Sequence, residues 1–145
     1  MHRSLVTTSV VALAALGLVA CGGGDDAGSV RSGADAVVKV DGKDVSGVDL
    51  STVSCVRQGE NFVIGTGGAN GAVAVTMTTH NPPVLQTVGI TADGTTLAVG
   101  GGVGEATVRV EGTRYTITGT AQGASIADPA AGVVRKPFEI AVTCR

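Results

Sequence analysis

Few side chains in this sequence can do chemistry, and three of them are thiols. Cys21, Cys55 and Cys144 are the only cysteines among 145 residues, and the histidines are His2 and His80. A thiol can act as a nucleophile, ligate a metal or oxidise to a disulfide, and its neighbours decide which. No Cys-x-x-Cys pair is present to start a tetrahedral metal site. His80 stands in His80-Asn81-Pro82-Pro83, a loop signal, and no G-x-S-x-G turn offers it a serine to activate. Asp25 and Asp26 are adjacent carboxylates in a glycine-rich run and read as solvated charge, not as metal ligands. The runs Gly65 to Gly71 and Gly100 to Gly104 lack the lysine of a phosphate loop and the G-x-G-x-x-G spacing, and read as hairpin loops or bulges. The expectation is a protein that is not an enzyme, with no catalytic residue, metal or cofactor.

Cys21 differs from the other two thiols in what precedes it. Residues 1–20 open with His2 and Arg3 and continue as an apolar or weakly polar run from Leu5 to Val19, the pattern of a secretory signal. That run is 15 residues long, whereas a helix crossing a bilayer needs about 20. Removal is therefore expected rather than retention. Leu18-Val19-Ala20-Cys21 resembles the bacterial lipobox, in which the cysteine thiol receives a diacylglyceryl group and the leader is cut just before it. The new amino terminus can then be acylated too. Each buried methylene contributes about 0.8 kcal/mol, and two or more chains hold stably where one binds marginally. Lipidated Cys21 would anchor an exported domain on the extracytoplasmic face of the cell membrane without a spanning helix.

Once Cys21 carries lipid, Cys55 and Cys144 remain as an even pair in an oxidising compartment, and a disulfide between them is expected. It would tie the last strand to an early one.

Loss of the leader removes Arg3 and leaves nine basic residues against twelve acidic ones, a net charge of about −3. No basic patch is present for nucleic acid. The 125 remaining residues suit one domain. Its only aromatics are Phe62, Tyr115 and Phe138, so the core must come mainly from Val, Ile, Leu and Ala. Residues 21–36 read as the acylated cysteine and a flexible Gly/Asp-rich tether, and residues 37–145 as a β-rich domain.

The period-two runs that build it start at Ala36–Val40, ending in Asp41-Gly42. Val53 and Cys55, then Phe62 to Ile64, mark two further runs separated by Gln58-Gly59-Glu60-Asn61, which read as a hairpin. Ala72 to Thr79 alternates with Val73, Val75 and Met77 on one face and stops at two prolines. Val84 to Thr91 and Thr95 to Val99 flank Asp93-Gly94. In Glu105 to Thr120 a two-residue Gly112-Thr113 turn pairs Val110 with Tyr115 and Val108 with Ile117, which puts one apolar face on both strands. Ser125 to Val134 reads as a loop or one helical turn with Pro129 near its start. Pro137 to Thr143 closes the chain, with Phe138, Ile140 and Val142 on one side. Eight or nine such strands indicate an antiparallel β-sandwich or a partly closed barrel, and the pattern alone does not choose.

Val40-Asp41-Gly42-Lys43-Asp44, Ser54-Cys55, Asn81-Pro82-Pro83-Val84, Tyr115 to Ala121 and Phe138 to Cys144, in that order and together with the lipobox, resemble the mycobacterial LpqH family, the nineteen-kilodalton lipoprotein antigens. The resemblance implies an acylated cell-envelope protein that hosts recognise as a Toll-like receptor agonist through its lipid moiety, with a role in adhesion. One departure limits it: the family's threonine-rich, mannosylated linker is here reduced to the hydroxyls of Ser29 and Ser32. The expected function is a non-enzymatic, membrane-anchored surface lipoprotein. The alternative is a carrier of a lipid or glycolipid bound between the sheets, which requires an apolar pocket of roughly 300 to 1,000 Å³.

Overall fold

The computed structural model describes residues 31–32 and 35–144. The leader, Cys21 and most of the expected tether lie outside the described residues.

The alternating runs become the antiparallel strands β1 (Arg31–Ser32), β2 (Ala36–Val40), β3 (Lys43–Asp44), β4 (Asp49–Gln58), β5 (Asn61–Gly67), β6 (Ala72–Thr78), β7 (Leu85–Ala92), β8 (Thr95–Val99), β9 (Glu105–Glu111), β10 (Arg114–Ser125) and β11 (Val133–Thr143). A 3-10 turn at Pro129–Ala131 is the only helical element among the described residues, with proline at its start as expected.

These strands form one sheet, not two. Its order is β1-β4-β5-β6-β7-β8-β10-β11-β2-β3, with β9 beside β10, and it curls into a half-barrel. Of the two architectures compatible with the pattern, the partly closed barrel is the one adopted. Strand twist accumulates along a sheet, and register shifts in β4 and between Thr76 and Met77 add curvature.

Two-residue turns set the register. Asp41 and Gly42 join β2 to β3 with φ of 53° and 74°, and Asp93 and Gly94 join β7 to β8 with φ of 52° and 70°. Positive φ at both central positions matches the twist of the flanking strands, and Asp-Gly tolerates it. Gly112-Thr113 pairs Glu111 with Arg114, Val110 with Tyr115 and Val108 with Ile117, the register that the alternation demands.

β10 is the hinge of the wall. One edge pairs with β11 from Arg114 to Ala124, while the other is shared between β9 at 114–120 and β8 at 122–125. Its inward positions shrink along the strand, from Tyr115 and Ile117 to Gly119, Ala121 and Gly123. A Cβ at Gly119 would fall on the carbonyl oxygen of Glu105, and one at Gly123 on that of Thr96. Glycine is thus what allows the neighbouring backbones to close on β10.

Inward side chains fill the interior. Ile64, Met77, Ile90, Leu97, Ile117 and Ile140 are each under 2% exposed, with valines from six strands around them. Fully burying such a side chain contributes about 1.5–3 kcal/mol.

Two boundaries differ from the alternation. β10 continues past Thr120 to Ser125, and β11 starts at Val133 with Pro137 inside it. The carbonyl of Pro137 accepts a hydrogen bond from the Asp41 amide (2.9 Å), where β2 runs out. N–H and C=O of one strand residue point the same way, so the missing donor of Pro137 falls at the end of β2 and leaves the β10 ladder intact. The third difference lies inside the expected tether, where Arg31 and Ser32 pair with Cys55 and Ser54. Backbone pairing of this kind needs no side-chain pattern, so the glycine-rich composition did not announce it.

Candidate functional site

β4 and β11 lie six steps apart along the sheet, and the curl brings them face to face. Cys55 and Cys144 form a disulfide there, with Cα atoms 5.9 Å apart and a sequence separation of 89. Both cysteines are buried. β1 pairs with β4 on one side of this seam and β2 with β11 on the other, so the amino-terminal strands straddle the line that the disulfide closes.

The sulfurs mark one end of the half-barrel, here called the disulfide end. The β4–β5 turn, the His80 to Pro83 loop, the Gly112-Thr113 turn and Cys144 meet there. The Thr79 amide donates to the Glu60 carbonyl (2.8 Å), the Cys144 amide to that of Thr113 (2.8 Å), and the Thr143 amide to that of Asp35 (2.9 Å). Asn81-Pro82 is a cis peptide within this rim.

Where the inward faces run out at this end, larger side chains replace the aliphatic core. Phe62 of β5 and Tyr115 of β10 stack across the mouth with ring centroids 5.0 Å apart and planes 29° from parallel. Such a pair adds about 0.5–1.5 kcal/mol beyond its area. Arg57 extends the inward series Val53-Cys55 of β4. Arg57, Phe62 and Tyr115 together separate two open depressions. One, of about 210 Å³, is rimmed by Thr78 to Asn81, Pro83 and Val110. The other, of about 240 Å³, is floored by Cys55 and Cys144 beside Gly112 and Thr113.

The opposite end carries charged side chains around an apolar floor. Its depression, also of about 240 Å³, lies among Val40, Val45, Leu97, Asp41, Asp93 and Lys136. Lys136 pairs with Asp41 at 3.1 Å, and the Ser46 hydroxyl donates to the Asp93 carboxylate.

The residues with chemical potential are thus dispersed. His80 is exposed in the rim loop, as its prolines indicated. The first glycine-rich run ends β5 at Gly67 and then forms the β5–β6 connection, and the second is the β8–β9 connection. Among the described residues no three of His, Cys, Asp and Glu gather as a metal site, and no helix is long and apolar enough to cross a membrane. The interior that a lipid carrier would need is occupied by the core side chains. The surface depressions fall below the roughly 300 Å³ at which ligand pockets begin, so the fold does not favour the carrier. Cys21 and Asp25-Asp26 lie outside the described residues.

The sequence reading missed the Phe62–Tyr115 contact and the place of Arg57. Alternation put Tyr115 on the apolar face of its hairpin, but nothing local says that β5 and β10 converge or that Arg57 ends the inward series of β4. Their scarcity was the available signal: two of only three aromatics occupy the mouth instead of the core.

Residues 29–144 match the family described as Mycobacterium 19 kDa lipoprotein antigen. A protein of Mycobacteroides abscessus named as a lipoprotein is 42% identical over 152 aligned positions, covering 99% of this chain and 99% of its own. Lipoprotein LpqH of Mycobacterium bovis is 40% identical over 110 positions, covering 74% of this chain and 67% of its own. Lipoprotein LpqH of Mycobacterium avium is 42% identical over 112, covering 74% and 66%.

Proposed function

The chain belongs to the Mycobacterium 19 kDa lipoprotein antigen family, and from that premise we propose that it is exported, acylated on Cys21 and displayed on the extracytoplasmic face of the cell membrane. Residues 1–20 are the leader that processing removes. Covalent diacylglyceryl and N-acyl chains on Cys21 are the anchor, and the folded domain is the displayed part. Its work is contact, without catalysis and without a cofactor. Host recognition through the lipid moiety, by a Toll-like receptor, and adhesion through the domain are the roles that the family membership suggests for it.

The observation that carries this reading is the buried Cys55–Cys144 disulfide across the barrel seam. Disulfides persist in oxidising compartments outside the cytosol, and this one spends both thiols other than Cys21. The filled interior supports a display role over a transport role for the same reason that it disfavours bound lipid.

Intact-mass analysis of protein from native membranes tests it. The expected mass begins at Cys21 and carries the acyl groups plus one disulfide. Protein that starts elsewhere, or has an unmodified Cys21, rejects the assignment.

A further inference from the structure

The geometry points to the disulfide end as a membrane-facing surface, on which Val84, Val110 and the Phe62–Tyr115 mouth rest against lipid headgroups while the opposite end faces outward. This rests on the anchor at Cys21 proposed above. Four observations on the domain support it.

The first is strand direction. β1 runs antiparallel to β4, with Arg31 opposite Cys55, and β4 heads for its turn only three residues further on, at Gln58. The amino-terminal side of β1 therefore points to the disulfide end. Nine residues lie between Cys21 and Arg31, and the ten steps that join them span at most about 36 Å in any conformation.

The second is apolar exposure. Val84 is 58% and Val110 37% exposed at this end, beside the half-buried rings of Phe62 and Tyr115. Aromatic side chains with one polar tip suit the level of the headgroups. A small cluster of this kind does not hold a protein on a membrane, but it orients one that is already tethered.

The third is charge. At the disulfide end Arg57, Arg109 and Arg114 balance Asp35, Glu60 and Glu111. The opposite end carries Asp44, Asp49, Asp93 and Asp128 against Lys43 and Arg135, with Asp41 already paired to Lys136. An anionic lipid surface repels the second and not the first within a Debye length of about 8–10 Å. Ile126 and Val133 are also exposed at that far end, 66% and 76%, but they sit among those carboxylates.

The fourth is Arg57, which makes no hydrogen bond or ion pair among the described residues. A guanidinium beside aromatic rings is well placed to meet a phosphate.

The chain contains its own reporter, since Tyr115 is its sole tyrosine and it has no tryptophan. The acylated, disulfide-bonded protein is incorporated into vesicles of phosphatidylcholine and phosphatidylglycerol, with and without nitroxide-labelled headgroups, and Tyr115 emission is measured alongside co-sedimentation. Quenching by the labelled lipid is expected for the parent and for Ile126→Asp. Val84→Asp, at an exposed position that leaves the core untouched, should lose that quenching while still sedimenting through its anchor. A parent that sediments without quenching overturns the orientation and leaves the anchor standing. So does quenching that survives Val84→Asp and disappears in Ile126→Asp. A parent that fails to sediment overturns the anchor, and the orientation with it.

Discussion

Cys55 and Cys144 join two strands that no hydrogen bond connects: six strand-to-strand steps separate them along the sheet, yet their Cα atoms are 5.9 Å apart. The disulfide closes a barrel that backbone pairing leaves open.

Closing a loop of about 90 residues lowers the entropy of the unfolded chain by roughly 4.5 kcal/mol at most, and native bridges in small secreted domains are worth about 2–5 kcal/mol. The double variant Cys55→Ala, Cys144→Ala should lose stability in that range by urea denaturation. Reductant should have no effect on it, while shifting the parent towards it.

The β9–β10 register puts Ile117 inside, fully buried, and Thr118 outside. Ile117→Ala is expected to cost about 2–5 kcal/mol, and Thr118→Ala to stay within about 0.5 kcal/mol of the parent. Equal costs would mean that the hairpin is slipped by one residue.

Gly123→Ala drives a methyl group onto the carbonyl of Thr96. Overpacking of this sort costs about 1–3 kcal/mol. Gly89 on β7 provides the contrast, since a Cβ there meets nothing within 4 Å. Gly89→Ala should be neutral or gain up to about 1 kcal/mol by restricting the unfolded chain. Thermal melts of the two variants should therefore move apart, Gly123→Ala clearly downward.

Thr66 is 9% exposed, and its hydroxyl has no hydrogen-bond partner among the described residues. A buried donor left unbonded costs about 1–3 kcal/mol, and valine has nearly the same shape. Thr66→Val is expected to raise the melting temperature, and a fall would reveal a partner for that hydroxyl.

Cys21→Ser removes the thiol on which the proposed lipid anchor would be built. Fractionation should find the variant released from the membrane or retained as the uncleaved precursor. Undiminished membrane retention of a cleaved variant would falsify the anchor.

The alternation between Glu105 and Thr120 was enough to place a hairpin, its turn, its register and its buried face, because the side-chain period of a strand and the geometry of a two-residue loop are local rules that must agree. The same holds for the Asp-Gly turns at 41–42 and 93–94. Pro137 misled the reading because proline ends most strands. Only the neighbour shows that its absent donor falls beyond the end of β2.

The lipobox-like run before Cys21 was legible in the chain because it depends on residue type and short spacing, and the even pair of remaining thiols because it depends on residue type alone. Tertiary structure decided the rest. Whether the strands make one curled sheet or two stacked ones depends on twist summed over the whole wall and on where glycines let backbones close. Those are properties of neighbours distant in sequence. The meeting of Phe62 with Tyr115, and the separation of a charge-balanced mouth from an acidic far end, follow from that curl alone.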